Sequence, residues 1–423
     1  MPLNSSLRSG LAFVLLLAAG GATLSSFVDD WPQWRGPRRD GVSTETGLLQ
    51  RWPAGGPALA WRATGAGEGY SSFAVSAGKL YTLGARQNTE YVMAFDAASG
   101  KKLWEVANGR RFSNDRGDGP RATPTIDGGR VYAFGSSGDM TVLDAATGKV
   151  VWTQNLLQKF GGSNITWGLS ESPLVLEDRI LVMPGGRNSA IVALKKTDGS
   201  VIWQTQSDTP GYSSAVVHTV GSVRQAIVFT GSRALGLDVN DGRVLWSHTK
   251  AANNVANIAT PIVRGNHVFL SSDYGTGAAL LSLAPAGKGI TASEVYFTRD
   301  MRNHHASSIL IGDHLYGFSS AILTAMRFDT GAVAWRDRSV GKGSMTFADG
   351  RLYLFSENGV VGLAEANPAK YVEHGRFTLR TGNLPTWTHP VVSGGRLFLR
   401  DQDTLYAYTV ASAGAESSLR ARR

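Results

Sequence analysis

From Leu59 onward, apolar and polar positions alternate in short runs separated by glycine- and aspartate-containing turns. Residues 123–152, TPTIDGGRVYAFGSSGDMTVLDAATGKVVW, are representative, with apolar-rich runs at 124–126, 130–134, 140–143 and 149–152. A period near two, carried by β-branched and aromatic residues, predicts strands. Gly128, Gly138 and Gly148 fall at the three turns between them, where a residue tolerant of positive φ is required. The same glycines and β-branched residues exclude one buried helix, so the stretch predicts a four-stranded antiparallel meander.

The pattern recurs. Gly100 and Trp104, Gly148 and Trp152, Gly199 and Trp203, Gly242 and Trp246, and Gly331 and Trp335 each stand four apart. Upstream lies a basic-apolar-aromatic step, as in Lys79-Leu80-Tyr81, Arg130-Val131-Tyr132, His267-Val268-Phe269, His314-Leu315-Tyr316, Arg351-Leu352-Tyr353 and Arg396-Leu397-Phe398. With Arg179-Ile180 and a divergent copy at 221–229, the copies number eight. Copies spaced about 40 to 50 residues apart predict the four-stranded blades of a propeller. The last copy, 388–408, reaches its third strand and then gives way to ASAGAESSLRARR, while 57–61 resembles a fourth strand with nothing before it. The expected fold is therefore all-β: an eight-bladed β-propeller of four-stranded antiparallel blades, its ring closed by an N-terminal strand that leaves no open edge. Trp61, Trp104, Trp152, Trp203, Trp246 and Trp335 occupy one repeated position and are expected to wedge between neighbouring blades as core.

The segments outside the repeat divide the chain. Residues 1–26 carry Arg8, an apolar run over 11–19 and then small residues, the pattern of a secretory signal peptide. The run is shorter than the ~20 residues of a membrane span, so export with cleavage is expected, with no transmembrane span afterwards and a periplasmic or secreted location. Residues 27–56 form a tryptophan- and arginine-rich lead-in expected to lie over the outside of the domain, 57–410 the propeller, and 411–423 a disordered basic tail.

The sequence has no cysteine, which excludes disulfides, thiolate metal sites and a lipid-bearing N-terminal cysteine. A net charge of +9 is compatible with an anionic partner. No basic run is interleaved with aromatics, however, so nucleic acid is not expected.

The repeat, Ala-Phe/Leu-Asp-x-x-Thr/Ser-Gly-x-x-x-Trp, resembles the pyrroloquinoline-quinone (PQQ) repeat of quinoprotein alcohol dehydrogenases and of the BamB-like scaffold of outer-membrane assembly. The resemblance covers Leu59 to about Val410. The lead-in Trp31-Pro32-Gln33-Trp34-Arg35-Gly36-Pro37 with Arg39-Asp40-Gly41, together with Asn303-His304-His305 and Trp387-Thr388-His389-Pro390, is similar to an exported bacterial PQQ-binding-like subfamily. The quinoprotein branch implies a vicinal disulfide and a Glu, Asn and Asp set for calcium and catalysis; the first is excluded here and the second has no motif. The BamB-like branch implies partner binding without catalysis on a lipoprotein, and the lipid-bearing cysteine is absent.

In a propeller, the connector from one blade's outer strand to the next blade's inner strand ends at the mouth of the central channel. Aligning the copies on Pro124 and stepping back three residues gives Tyr70, Arg121, Ser170, Tyr212, Ile258, His305, Lys342 and Trp387. Arg121, Lys342 and His305 among Tyr70, Tyr212 and Trp387 suit a flat anionic ligand stacked on aromatics, such as PQQ, another planar carboxylate or an anionic sugar. Nearby positions add His304, His389, Asn114, Asp115, Asp118 and Trp167, while Glu171 and Asn257 offer oxygens for a divalent ion such as Ca2+. His304 and His305, adjacent on a strand, would point to opposite faces and not share an ion.

The sequence is thus read as an exported binding or scaffold module of the cell envelope, BamB-like, whose partner is an envelope protein or a small anionic or carbohydrate ligand. The alternatives are a quinoprotein-type oxidoreductase binding PQQ and a divalent ion at the channel mouth, and a carbohydrate- or polymer-binding propeller.

Overall fold

The structure, a computed structural model, describes Met1 and residues 30–379 and 382–415. The expected signal peptide beyond Met1 and the basic end of the tail, 416–423, lie outside the described residues.

Eight four-stranded antiparallel sheets follow one another along the chain. The meander at 123–152 is the second blade, with strands Thr125–Asp127, Arg130–Phe134, Asp139–Asp144 and Val150–Asn155. The eighth blade has three strands from the end of the chain, Val391–Ser393, Arg396–Asp401 and Thr404–Thr409, and its outer strand is Leu59–Ala63. That strand pairs antiparallel to Thr404–Thr409, with Leu59 opposite Tyr408 and Ala63 opposite Leu405. Chain start and chain end therefore share one sheet, and no blade edge remains open at the seam. Arg400, fully buried, reinforces the seam by donating from the eighth blade to the carbonyls of Ser71, Leu83 and Gly67 in and before the first.

Blade-to-blade packing gives the Gly-x-x-x-Trp step its meaning. The Trp61 indole N–H donates to the Ala97 carbonyl of the next blade, and a Cβ on Gly100 would lie 2.6 Å from the Trp61 ring. The same pairing joins Trp104 to Gly148 and Ala145, Trp152 to Gly199 and Lys196, and Trp203 to Gly242 and Val239. Each glycine seats the tryptophan of the blade before it, where any side chain would collide. The fifth blade uses Tyr296 instead, its hydroxyl donating to the Phe328 carbonyl while its ring covers Gly331. Trp246 departs from the pattern, its indole N–H turning back to Gln225 of its own blade.

The lead-in does not lie over the outside. Trp31 bridges to Val75 on the first blade's inner strand, Pro32 accepts from Ile126 N–H on the second, and Val42 bridges in parallel to Phe347 on the seventh. Between them Arg39 donates to the carbonyls of Ser172, Pro173 and Ala215 on the third and fourth blades. Trp34 reaches Thr260 on the fifth, Arg35 reaches Ser307 and Ser308 on the sixth, and Trp34 packs on His389 at the eighth. Residues 31–42 thus touch the inner strands or inner-strand approaches of all eight blades, a placement available only on the ring axis. The segment is a hook inserted in the channel. Inner-strand carbonyls facing a channel need donors, and two guanidiniums, each only 3% exposed, supply them. Arg35 and Arg39 hold φ of 62° and 58° to do so, a left-handed conformation kept in place by these bonds. The lead-in then leaves between the seventh and eighth blades, where Trp52 packs against Tyr353 and Phe377. Ala411, assigned to the tail from sequence, is bridged to Leu48 and buried.

Candidate functional site

At the mouth of the ring, a cavity of about 350 Å³ is lined by every one of the eight positions obtained by aligning the repeats: Tyr70, Arg121, Ser170, Tyr212, Ile258, His305, Lys342 and Trp387. Each stands at the end of an outer-to-inner connector, and eightfold repetition of the blade brings the connectors to one point. Trp167 and His304 join them, as do Arg116, Ser214 and Tyr274, which the alignment did not reach. Trp34, from the hook, closes the cavity from the channel side. Arg116 lies within the connector after the first blade, and Tyr274 in the hairpin after strand His267–Ser272, at φ 55°. Neither belongs to the repeated frame. Only the positive charge of that connector and the aromatic at a hairpin turn hinted at them.

Four of the aromatics lining the cavity, Trp34, Tyr70, Tyr212 and Trp387, have their polar tips already hydrogen-bonded and present ring faces to it. The indole N–H of Trp34 donates to Thr260, that of Trp387 to Glu357, and the Tyr70 hydroxyl to the Arg116 carbonyl; the Tyr212 hydroxyl accepts from Trp167 N–H. Most neighbouring rings are tilted, by 38° between Tyr70 and Trp387, 45° between Trp167 and Tyr212 and 41° between Tyr274 and His304, while Trp167 and Tyr274 are near-parallel at 12°. Burial raises the phenol pKa of Tyr70, Tyr212 and Tyr274, so these rings stay neutral.

The charges in the lining are cationic. Arg121 lies between the rings of Tyr70 and Phe112, 5.3 Å from each centroid, and donates to the carbonyls of Gly119 and Gly117. Burial lowers its pKa, and no carboxylate hydrogen-bonds to it among the described residues. Lys342 stands 3.4 Å from Glu357 at the cavity edge. The histidines are neutral: desolvation lowers His304 to about 4 and His389 to about 3, and holds His305 well below the ordinary imidazole value. Both His305 ring nitrogens are buried without a hydrogen-bond partner among the described residues.

The residues proposed for a divalent ion are not brought to this cavity. Glu171 accepts from Met183 N–H inside the third blade, and burial raises its pKa to about 8. The Asn257 amide donates to Thr230, Gly231 and Asn253 carbonyls and its oxygen accepts from Asn253 N–H. Asp118 is paired with Arg111. The described lining contains no carboxylate, and no group of three or more His, Asp or Glu suited to a metal is found among the described residues. A calcium ion, which takes six to eight oxygens, does not fit this donor set.

Comparison with known proteins agrees with the architecture. The family model described as outer membrane protein assembly factor BamB matches residues 88–337. Among curated proteins, the BamB of Shewanella oneidensis is 24% identical over 259 residues, covering 56% of this chain and 62% of that protein. That of Yersinia pestis is 25% identical over 249 residues, covering 56% and 61%. The chain thus spans about three-fifths of the length of these relatives. Among solved structures, BamB from Moraxella catarrhalis superposes with a TM-score of 0.60 at 14% identity, covering 84% of this chain and 99% of that one. Quinohemoprotein alcohol dehydrogenase from Comamonas testosteroni gives 0.63 at 14% identity, covering 91% and 81%. At such identity the structural likenesses concern the fold. The match of the family model over more than half of the chain, on the blades whose Gly and Trp positions interlock, identifies the protein as a member of the BamB family of PQQ-repeat β-propellers.

Proposed function

We propose that the protein is a binding module of the cell envelope, acting outside the cytoplasm, with the mouth of the ring as its contact site. One observation carries the reading: the mouth cavity is walled by aromatic faces and cations, and no carboxylate lines it among the described residues. Such a surface holds a partner by stacking and charge. His304, its pKa lowered by burial to about 4, binds a proton weakly and is a poor general base. The family description, outer membrane protein assembly factor, supports an envelope role. No helix among the described residues is long and apolar enough to cross a membrane.

Co-purification from envelope extract, comparing wild type with a Trp167→Ala/Trp387→Ala double variant, tests the reading. A partner retained by wild type and lost by the variant is the expected result. Dye-linked alcohol oxidation after addition of PQQ and calcium, abolished in the same variant, would overturn it in favour of an oxidoreductase.

A further inference from the structure

We propose that the mouth cavity and the groove beside it form one site for a linear acidic oligosaccharide, one sugar ring seated in the aromatic bowl and the chain leaving past Trp387. The inference rests on the binding-module reading and specifies its occupant.

A second compartment of about 440 Å³ adjoins the bowl and shares Arg116, Lys342 and Trp387 with it. A ligand seated in the bowl can therefore continue into the groove along a wall common to both, which suits rings linked in series. Both volumes fall in the range of small-molecule sites.

The tilted walls of the bowl suit a puckered ring. A flat ring held between two aromatic faces needs about 7 Å between them, twice the ordinary carbon contact distance. The near-parallel pair in the wall, Trp167 and Tyr274, has centroids 6.4 Å apart at an interplanar angle of 12°, and the other faces are tilted toward one another. Tilted faces instead meet C–H groups projecting from several sides of a saturated ring, and those hydrogens, made slightly positive by neighbouring hydroxyls, are attracted to the negative π face.

The groove has different chemistry. Asn358 and Asn383 line it, and an amide both donates and accepts, as a hydroxyl-bearing ligand requires. At the junction Arg116 and Lys342 bring positive charge; Glu357, which also lines the groove, offsets Lys342 at 3.4 Å, while the half-buried Arg121 behind them hydrogen-bonds to no carboxylate among the described residues, so the junction stays net cationic. Carboxylates on successive sugars would face that junction, so an acidic chain is preferred over a neutral one.

Titration of the full chain with a β-1,4-linked mannuronate trisaccharide, followed by tryptophan emission, tests the inference against the carboxyl-reduced neutral trisaccharide and against PQQ. The acidic sugar should bind at least about tenfold more tightly than the neutral one, and Lys342→Met or Arg116→Ala should each weaken acidic-sugar binding by about tenfold, a change of about 1.4 kcal/mol, and should narrow the gap between the two sugars. Equal affinity for both sugars, no effect of either substitution, or no binding at millimolar sugar would overturn the inference. In those cases the binding-module reading stands if an envelope partner is still lost on Trp167→Ala/Trp387→Ala, and falls only if PQQ-dependent alcohol oxidation appears.

Discussion

Trp34 and His389 pack against each other on the ring axis, with ring centroids 4.4 Å apart and planes tilted by 55°. One comes from the start of the chain and the other from its last blade, and the Trp34 indole N–H reaches Thr260 of the fifth blade. A single side chain therefore ties the hook to widely separated blades and also forms one wall of the mouth cavity. Trp34→Ala should destabilise the protein by about 2–3 kcal/mol in urea unfolding, less than the usual cost of removing a fully buried aromatic because Trp34 is only partly buried.

Arg39 is a second such tie. Its guanidinium donates to carbonyls of two neighbouring blades and to Thr125 of a third. Arg39→Met would leave those buried acceptors without donors, at a cost of about 3–5 kcal/mol. Arg39→Lys should recover little, because an ammonium cannot reproduce the planar fork. Thermal unfolding of the two variants beside wild type checks both statements.

The Gly-Trp interlock makes a paired prediction. Gly148 has φ of 74° and a Cβ there would come within 2.8 Å of the Trp104 ring, so Gly148→Ala should cost about 2–4 kcal/mol from backbone strain and collision together. Gly128, with φ of 54° and open space around its missing side chain, should cost only about 1 kcal/mol as Ala. Similar losses in the two variants would contradict the interlock.

Acidification should reveal His304. Desolvation first, and then Lys342, lower its pKa to about 4, against the smaller opposing pull of Asp273 and Glu357. Because the folded-state value lies below the ordinary 6.5, the unfolded chain takes up the proton first. The stability associated with neutral His304 is present above about pH 6.5 and is lost as pH falls toward 4. His304→Phe removes that dependence. Unfolding free energies of wild type and variant, measured across this interval, should therefore move apart in the variant's favour as pH falls; parallel curves would exclude the effect.

Much of the lining of the mouth cavity was legible in the sequence. The repeat frame located Tyr70, Arg121, Ser170, Tyr212, Ile258, His305, Lys342 and Trp387 because every blade delivers its connector to the same place. Arg116, Tyr274 and Ser214 escaped because they lie in connectors and hairpins of irregular length. Tyr296 escaped because a tyrosine does a tryptophan's task in the fifth blade.

The sequence by itself determined the eight blades, their closure through Leu59–Ala63 and the core role of the repeated tryptophans. Those features depend on local alternation and on a contact repeated between neighbours, and both are written in the spacing of residues. Only the tertiary structure decided where the lead-in goes. A tryptophan- and arginine-rich segment without periodicity can satisfy its burial outside a ring or inside one. The choice rests on inward-facing carbonyls from distant blades, which meet Arg35 and Arg39 only when the whole ring has closed around them.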